Sequence, residues 1–447
     1  MRKYVLIFGL FVAVIAASTS TAKEPPALPN RDVMSKEYWT LWNDEVQKKL
    51  DGRIEKYRKA DAKVELSNVK PGSEIKIEQI SHEFLFGGNI FLFGNFKTSE
   101  QNKQYEDTFG NLFNAATVPF YWKTLEPEQG KPRYAAGSPS VYRRPATDPV
   151  VAFCESKGIN MNGHAIIYGK RIWGHPEWMP EDRKEMEKIF ELHVRELADR
   201  YKNRLQRWDV VNESIDQANR GLMPDDYTFK TFSWAMRYFP ETAQLGCNDC
   251  DIHWEVNRHR RYVEIVRDLI DRGIRVNNVG VQMHIFNPKE STNIAKGAKV
   301  LTSEQIEAVL ECLDNTERPL QISEVTVSAP DVTETGSMIQ AVITRNLYRC
   351  WFSYPSVMSI TWWNVADGGA APGEPATSGL FTQQMEPKPA YYALDRLINY
   401  EWKTNIVQKA DAETVTIPFR GFKGKYKISW TDKTGNIQSK EIVVTNQ

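Results

Sequence analysis

The stretch RKEMEKIFELHVRELADRYKNRLQRWDVVNE, residues 183–213, holds two periodicities back to back. From Arg183 to Tyr201, the residues Met186, Ile189, Phe190, His193 and Leu197 recur at helical spacing and share one face. From Arg207 to Asn212 a short hydrophobic run reads as a strand, and it ends in an Asn-Glu pair. The same alternation continues outward in both directions from about residue 80. The predicted strands are Phe84–Gly88, Leu112–Thr117, Asn160–Ile166, Arg207–Asn212, Gln244–Cys247, Asn278–Met283, Leu320–Glu324 and Val357–Trp363. Helical spacing returns over Arg258–Arg272, through Val263, Val266, Leu269 and Ile270, and a last helix is expected over Ala390–Ile398. Eight strands alternating with helices predict an α/β fold, the (β/α)8 TIM barrel, which needs roughly 250 residues plus its loops. No Gly-rich phosphate loop follows any strand, which disfavours a doubly wound nucleotide-binding sheet.

The chain has 447 residues, 41% hydrophobic and 26% charged, enough for one large domain and a small accessory segment. Arg2 and Lys3 precede an apolar run from Tyr4 to Ala17, and Ser20-Thr21-Ala22 offers a small-x-small cleavage site. Residues 1–22 are therefore expected to be a cleaved signal peptide, and the mature protein secreted or periplasmic, with no membrane span and a monomeric state. Residues 23–60 read as a linker and N-terminal segment. Residues 61–80 alternate around Pro71-Gly72 and predict a β-hairpin leading into a barrel domain of residues 61–400. Residues 401–447 alternate again, through Val415, Ile417, Phe419, Tyr426, Ile428 and Trp430, and predict a small C-terminal β appendage. Trp430 or Tyr426 could bind carbohydrate there, although packing against the barrel is the expected role.

Lys+Arg and Asp+Glu are equal at 57 each, so no basic field exists to attract nucleic acid or an anionic membrane, and a neutral substrate fits better. Thirteen Trp and eighteen Tyr supply flat rings able to stack on sugars as well as to fill a core. The five Cys, at 154, 247, 250, 312 and 350, do not make a disulfide framework. Cys247 and Cys250 have the spacing of half a zinc site but no second pair follows, so a local disulfide or two free thiols are expected, with no metal and no cofactor.

Reactive groups of a β/α barrel sit at the carboxyl ends of its strands. Glu213 ends the fourth predicted strand and Glu324 the seventh. Glycoside cleavage needs one carboxyl group to protonate the leaving oxygen and a second, ionised, to attack the anomeric carbon. In retaining enzymes the two lie about 5–5.5 Å apart. Glu213 is the candidate general acid/base and Glu324 the candidate nucleophile, with Asn212 placed to donate to a sugar 2-hydroxyl.

These residues resemble glycoside hydrolase family 10, whose members are mostly retaining endo-β-1,4-xylanases. The resemblance covers roughly residues 60–400. WDVVNE at 208–213 is similar to the family's acid/base signature and ISE at 322–324 to its nucleophile strand. Asn248-Asp249 and Gln282-Met283-His284 match the fifth and sixth strands, and the resemblance implies that His284 hydrogen-bonds the nucleophile. It also implies sugar contacts from His164 in Asn162-Gly163-His164, from Gln282, and from Trp363 as a stacking ring. The substrate so implied is a plant cell-wall polysaccharide, xylan or decorated xylan.

The chain departs from the family pattern around the glycone, the sugar on the non-reducing side of the cut. Tyr121 replaces a sugar-binding Lys, Tyr168-Gly169 replace Trp-His, Thr326 replaces an Asp, and a second Trp is replaced near Ala370-Ala371. Tyr168 is thereby a candidate substrate contact of a rebuilt site. Lys170-Arg171 either face an acidic sugar or are solvent-facing loop charges. Another glycan (β-glucan or β-galactan), exo action, or a polysaccharide-binding barrel without catalysis are the competing readings.

Overall fold

A computed structural model describes residues 24–215, 222–249 and 255–446. The expected signal peptide and Cys250, with its expected pairing to Cys247, lie outside the described residues. Strands β1 (Lys59–Leu66) and β2 (Glu74–His82) precede the eight barrel strands. These are β3 (Leu85–Asn89), β4 (Ala115–Pro119), β5 (Asn160–Tyr168), β6 (Arg207–Asn212), β7 (Gln244–Asp249), β8 (Asn278–Ile285), β9 (Leu320–Val327) and β10 (Val357–Trp362). All eight run parallel, in chain order, and β10 closes on β3. The α/β barrel expected from the alternation is thus the fold. The helix over Arg183–Tyr201 forms as expected, its first turn capped by Asp182, whose side chain accepts from the Glu185 amide. Met186, Phe190, Val194 and Leu197 on its inner face are fully buried.

Within residues 23–60, read as a linker and N-terminal segment, residues 24–30 form neither helix nor strand and two helices follow. Helices α1 (Lys36–Leu41) and α2 (Asp44–Arg58) are capped by Ser35 and Asn43. Tyr38, Leu50 and Ile54 join the main core, and Glu307 receives Lys49 at 2.6 Å and Arg53 at 2.8 Å. Arg58 then donates to the carbonyls of Phe352, Tyr354 and Val357, tying α2 to the amino end of β10.

The expected N-terminal hairpin does not form. Strands β1 and β2 pair with different partners: β1 lies antiparallel to β12 (Val415–Phe422), and β2 lies between β11 (Asn405–Lys409) and β13 (Gly424–Thr431). Strand β14 (Ile437–Val444) completes the second sheet beside β13. The C-terminal appendage is therefore half of a two-sheet unit whose other half comes from the N-terminal side of the barrel. It has its own core of Val64, Leu66, Ile75, Ile77, Ile417, Tyr426 and Ile428. Tyr426 is wholly buried, its hydroxyl donating to Phe422 O at 2.6 Å, so it presents nothing to a sugar.

Among the described residues, no helix is long and apolar enough to cross a membrane.

Candidate active site

Strands β6 and β9 deliver the two carboxylates to the carboxyl end of the barrel, in a cleft of about 460 Å³. Asn212, Glu213, Gln282, His284, Glu324, Tyr168 and Trp363 line it together. A larger hollow of about 850 Å³ opens at the opposite end, beside Arg58, Arg207 and Val357, and holds none of these residues. In this architecture the chemistry belongs to the carboxyl end.

Glu324 lies inside β9 rather than at its end. Pairing along β8 passes from Val281 opposite Ile322 to Gln282 opposite Glu324, so Ser323 is an extra residue in the ladder. Such a bulge re-aims the side chains beside it. Glu324 Oε1 accepts from Asn248 Nδ2 at 2.7 Å, and Oε2 faces His284 Nε2 at 3.2 Å. His284 Nδ1 meets Thr326 Oγ1 at 2.8 Å. Burial pushes the Glu324 carboxyl up to about 8, with the charge of Glu213 adding to the rise and His164 and Asn248 opposing it.

Glu213 follows β6 in a left-handed backbone conformation, φ 55°, with its amide donating to Asn248 O at 2.8 Å. Its Oε1 accepts from the Tyr168 hydroxyl at 2.7 Å and from Gln282 Nε2 at 3.3 Å. Oε2 takes the Lys170 ammonium at 2.6 Å. Lys170 is thus an ion-pair partner of the candidate acid/base and not a solvent-facing loop charge. Arg171 turns away, toward the carbonyls of Met179 and Pro180. Burial and the charge of Glu213 both raise the Tyr168 pKa, which keeps it a phenol and a donor.

Asn248 joins the two halves of the site. Its Nδ2 also donates to Asn212 Oδ1 at 2.9 Å, and its Oδ1 accepts from Ser323. Fixing the Asn212 carbonyl this way leaves its amide N–H groups to serve a sugar hydroxyl.

His164 is brought close but does not line the cleft. Its ring is 1% exposed, lying between Asp209 Oδ2, 2.8 Å from Nδ1, and the Tyr121 hydroxyl, 3.1 Å from Nε2. Tyr121, which does line the cleft, lies between it and His164. Burial works against protonation of His164, but the bond to Asp209 and the charges of Asp209 and Glu324 win, and the His164 pKa is raised. Trp363, 5% exposed, meets Phe91 and His164 at 5.1 and 5.5 Å between ring centroids, both edge-on. Sequence reasoning gave no role to Asp209, which also holds Asn162 Nδ2 at 2.8 Å. The available signal was an acidic residue inside an otherwise apolar strand, since a buried charge needs partners.

Two glutamates, one on a bulged barrel strand and one at the next-but-two strand's end, bridged by an Asn, define a barrel glycosidase. The family model described as Glycosyl hydrolase family 10 matches residues 81–396, and the chain belongs to that family. Endo-1,4-beta-xylanase B of Thermotoga neapolitana is 23% identical over 326 residues, 69% of this chain and 87% of that protein. The anti-sigma-I factor RsgI6 of Acetivibrio thermocellus is 24% identical over 425 residues, 93% of this chain and 49% of that protein, a match running past the barrel. The crystal structure of xylanase 10B from Thermotoga maritima superposes with a TM-score of 0.58 at 21% identity, covering 71% of this chain and 96% of that one. The chain is accordingly a glycosidase of the xylanase-like kind, acting on carbohydrate.

Proposed function

We propose that the chain is an exported, endo-acting retaining enzyme that cleaves β-1,4 linkages of xylan or decorated xylan by double displacement, with Glu324 as nucleophile and Glu213 as acid/base. The observation that carries this reading is the Asn248 bridge. One side chain orients the nucleophile and, through Asn212, the contact to the sugar that flanks the reacting carbon. In the first step Glu213 protonates the departing glycosidic oxygen while Glu324 attacks the anomeric carbon. In the second Glu213 takes a proton from water, which displaces Glu324 with net retention. Tyr168 and Gln282 donate to Glu213 and Lys170 forms an ion pair with it, an arrangement suited to the second step. For the first, an incoming leaving group must displace Lys170 from Oε2. Names of relatives as xylanases support the substrate, while Tyr121 and Tyr168 in the glycone region favour a decorated chain or another β-glycan.

The test is incubation with plant polysaccharides and sizing of the products, alongside NMR of the product anomer. A ladder of β-configured xylo-oligosaccharides is expected, and inverted product would end the retaining mechanism. Glu324→Ala should abolish turnover while remaining folded. Glu213→Ala should lose about 10²–10⁴-fold on natural linkages and far less on activated aryl glycosides; equal losses on both would remove the acid role.

A further inference from the structure

The cleft carries four cations, Lys123, Arg143, Arg144 and Lys170, and three carboxylates, Glu213, Glu324 and Glu374. Lys170 is paired with Glu213. Glu374 accepts from Asn364 Nδ2 at 3.3 Å and the Ala371 amide at 3.1 Å, and lies 3.9 Å from Arg143. Arg143 is 4% exposed, donates from Nη2 to Asn364 Oδ1 at 3.1 Å, and its Nε has no hydrogen-bond partner. Among the described residues, no carboxylate lies within ion-pair distance of Arg144 or Lys123. Arg144 spreads its guanidinium over the Tyr121 ring, 3.7 Å from the centroid, and donates from Nη1 only to Arg143 O at 2.9 Å. Burial pulls its pKa down to about 10, which still leaves it cationic at neutral pH.

The Tyr121 ring and one carbonyl offset part of the cost of burying this guanidinium, and an arriving anion would offset more. Its place identifies the anion. Tyr121, beneath Arg144, is bonded to His164, which lies 3.9 Å from Glu324, whereas Lys170 lies on Glu213. Arg144 is therefore on the nucleophile's side of the site, where the glycone sits, and the leaving group is on the other. We propose that this side is a carboxylate subsite: it takes a uronic acid residue carried on the non-reducing side of the scissile bond, held by Arg144, with Arg143 offering its Nε–H and Lys123 at the rim. This rests on the reading of the chain as a β-glycan-cleaving enzyme, and it names the decoration that such a substrate bears. A planar carboxylate can take paired N–H donors from a guanidinium edge, which neutral sugars cannot match.

Glucuronoxylan and the same polymer after carboxyl reduction share backbone and branching and differ only in charge. Wild-type kcat/KM is expected to be about 10- to 100-fold higher on the unreduced polymer. Raising ionic strength from about 0.02 M to about 0.5 M should shrink that ratio. Arg144→Leu should bring it close to one, and Arg144→Lys should restore part of it; if circular dichroism finds Arg144→Leu unfolded, Lys123→Ala takes its place with a smaller drop. Equal rates on the two polymers, or an unchanged ratio in a folded Arg144→Leu, would overturn the subsite. Calorimetry on the inactive Glu324→Ala protein with aldotetraouronic acid and with xylotriose reads the subsite without catalysis. Tighter binding of the acidic oligosaccharide supports it, and equal or weaker binding removes it. Cleavage of neither polymer by wild type would instead strike the xylan reading, and the calorimetry would still decide the subsite.

Discussion

Thr326 holds His284 at 2.8 Å, and His284 holds Glu324, so the residue two positions beyond the nucleophile acts on it through one imidazole. The Thr326 hydroxyl brings no charge to that imidazole, and burial raises the nucleophile to about 8. The sign follows directly: a carboxyl group with a raised pKa is protonated, and useless for attack, below that value. The acid limb of kcat/KM should therefore rise with pH through about 8. Thr326→Asp supplies a charge that favours imidazolium, adds a cation beside Glu324, and should move the limb down by about one pH unit. A pH–rate profile with the wild-type limb already complete at pH 5 would show burial to be outweighed. Gly169 makes the other residue-scale argument. Its amide donates to Asn212 O at 2.6 Å, and an added Cβ would lie 2.3 Å from Glu213 O, a contact with backbone that must shift. Gly169→Ala should displace Glu213 and lower kcat about 10²-fold, while thermal unfolding falls only by the equivalent of about 1–3 kcal/mol. A kcat that tracks stability alone would contradict the positioning argument.

Elements differ in how much their own sequence dictates. Arg183–Tyr201 and Arg207–Asn212 form with the boundaries that periodicity predicts, because each is one uninterrupted apolar pattern. Strand β9 continues past Glu324 through Val325, Thr326 and Val327, all β-branched, yet the bulge at Ser323 depends on how neighbouring strands register and leaves no local mark. The hairpin expected at Pro71-Gly72 fails for a related reason. Alternation specifies a strand and its buried face, but not which strand it pairs with. Charge shows the same limit: equal totals of 57 suggested a neutral substrate, while three separate segments gather Lys123, Arg143 with Arg144, and Lys170 in one cleft. Both catalytic candidates were legible because each is an acidic residue set against a strong apolar strand pattern, Glu213 just after β6 and Glu324 within β9. Tyr426, considered for sugar binding, belongs to the inner face of β13, and its hydroxyl serves Phe422 O. Tyr426→Phe should lower stability by about 0.5–1.5 kcal/mol and leave glycan affinity untouched, measured by denaturant unfolding and by pull-down on insoluble xylan.

At the scale of the molecule, the two ends of the described chain are knitted together across the base of the barrel. Strand β1 depends on β12 along eight residue pairs, and β2 is flanked by β11 and β13, so segments over three hundred residues apart share one small core. The solved chain compared above is covered to 96% by 71% of this one, so its fold stands without a counterpart to the remainder. Here, however, the chain enters the barrel through β2, which runs to His82 just before β3 begins at Leu85. Deleting residues 404–447 would uncover Val64, Leu66, Ile75 and Ile77, each now at most 3% exposed. At about 1.5–3 kcal/mol for each side chain returned to water, the loss is comparable with the whole stability of an ordinary domain, about 5–15 kcal/mol. The truncated protein should aggregate on expression or, if soluble, unfold at a markedly lower temperature and expose residues 59–82 to proteolysis. A truncation with wild-type melting behaviour and activity would show that the barrel stands alone and that the two-sheet unit is an independent attachment.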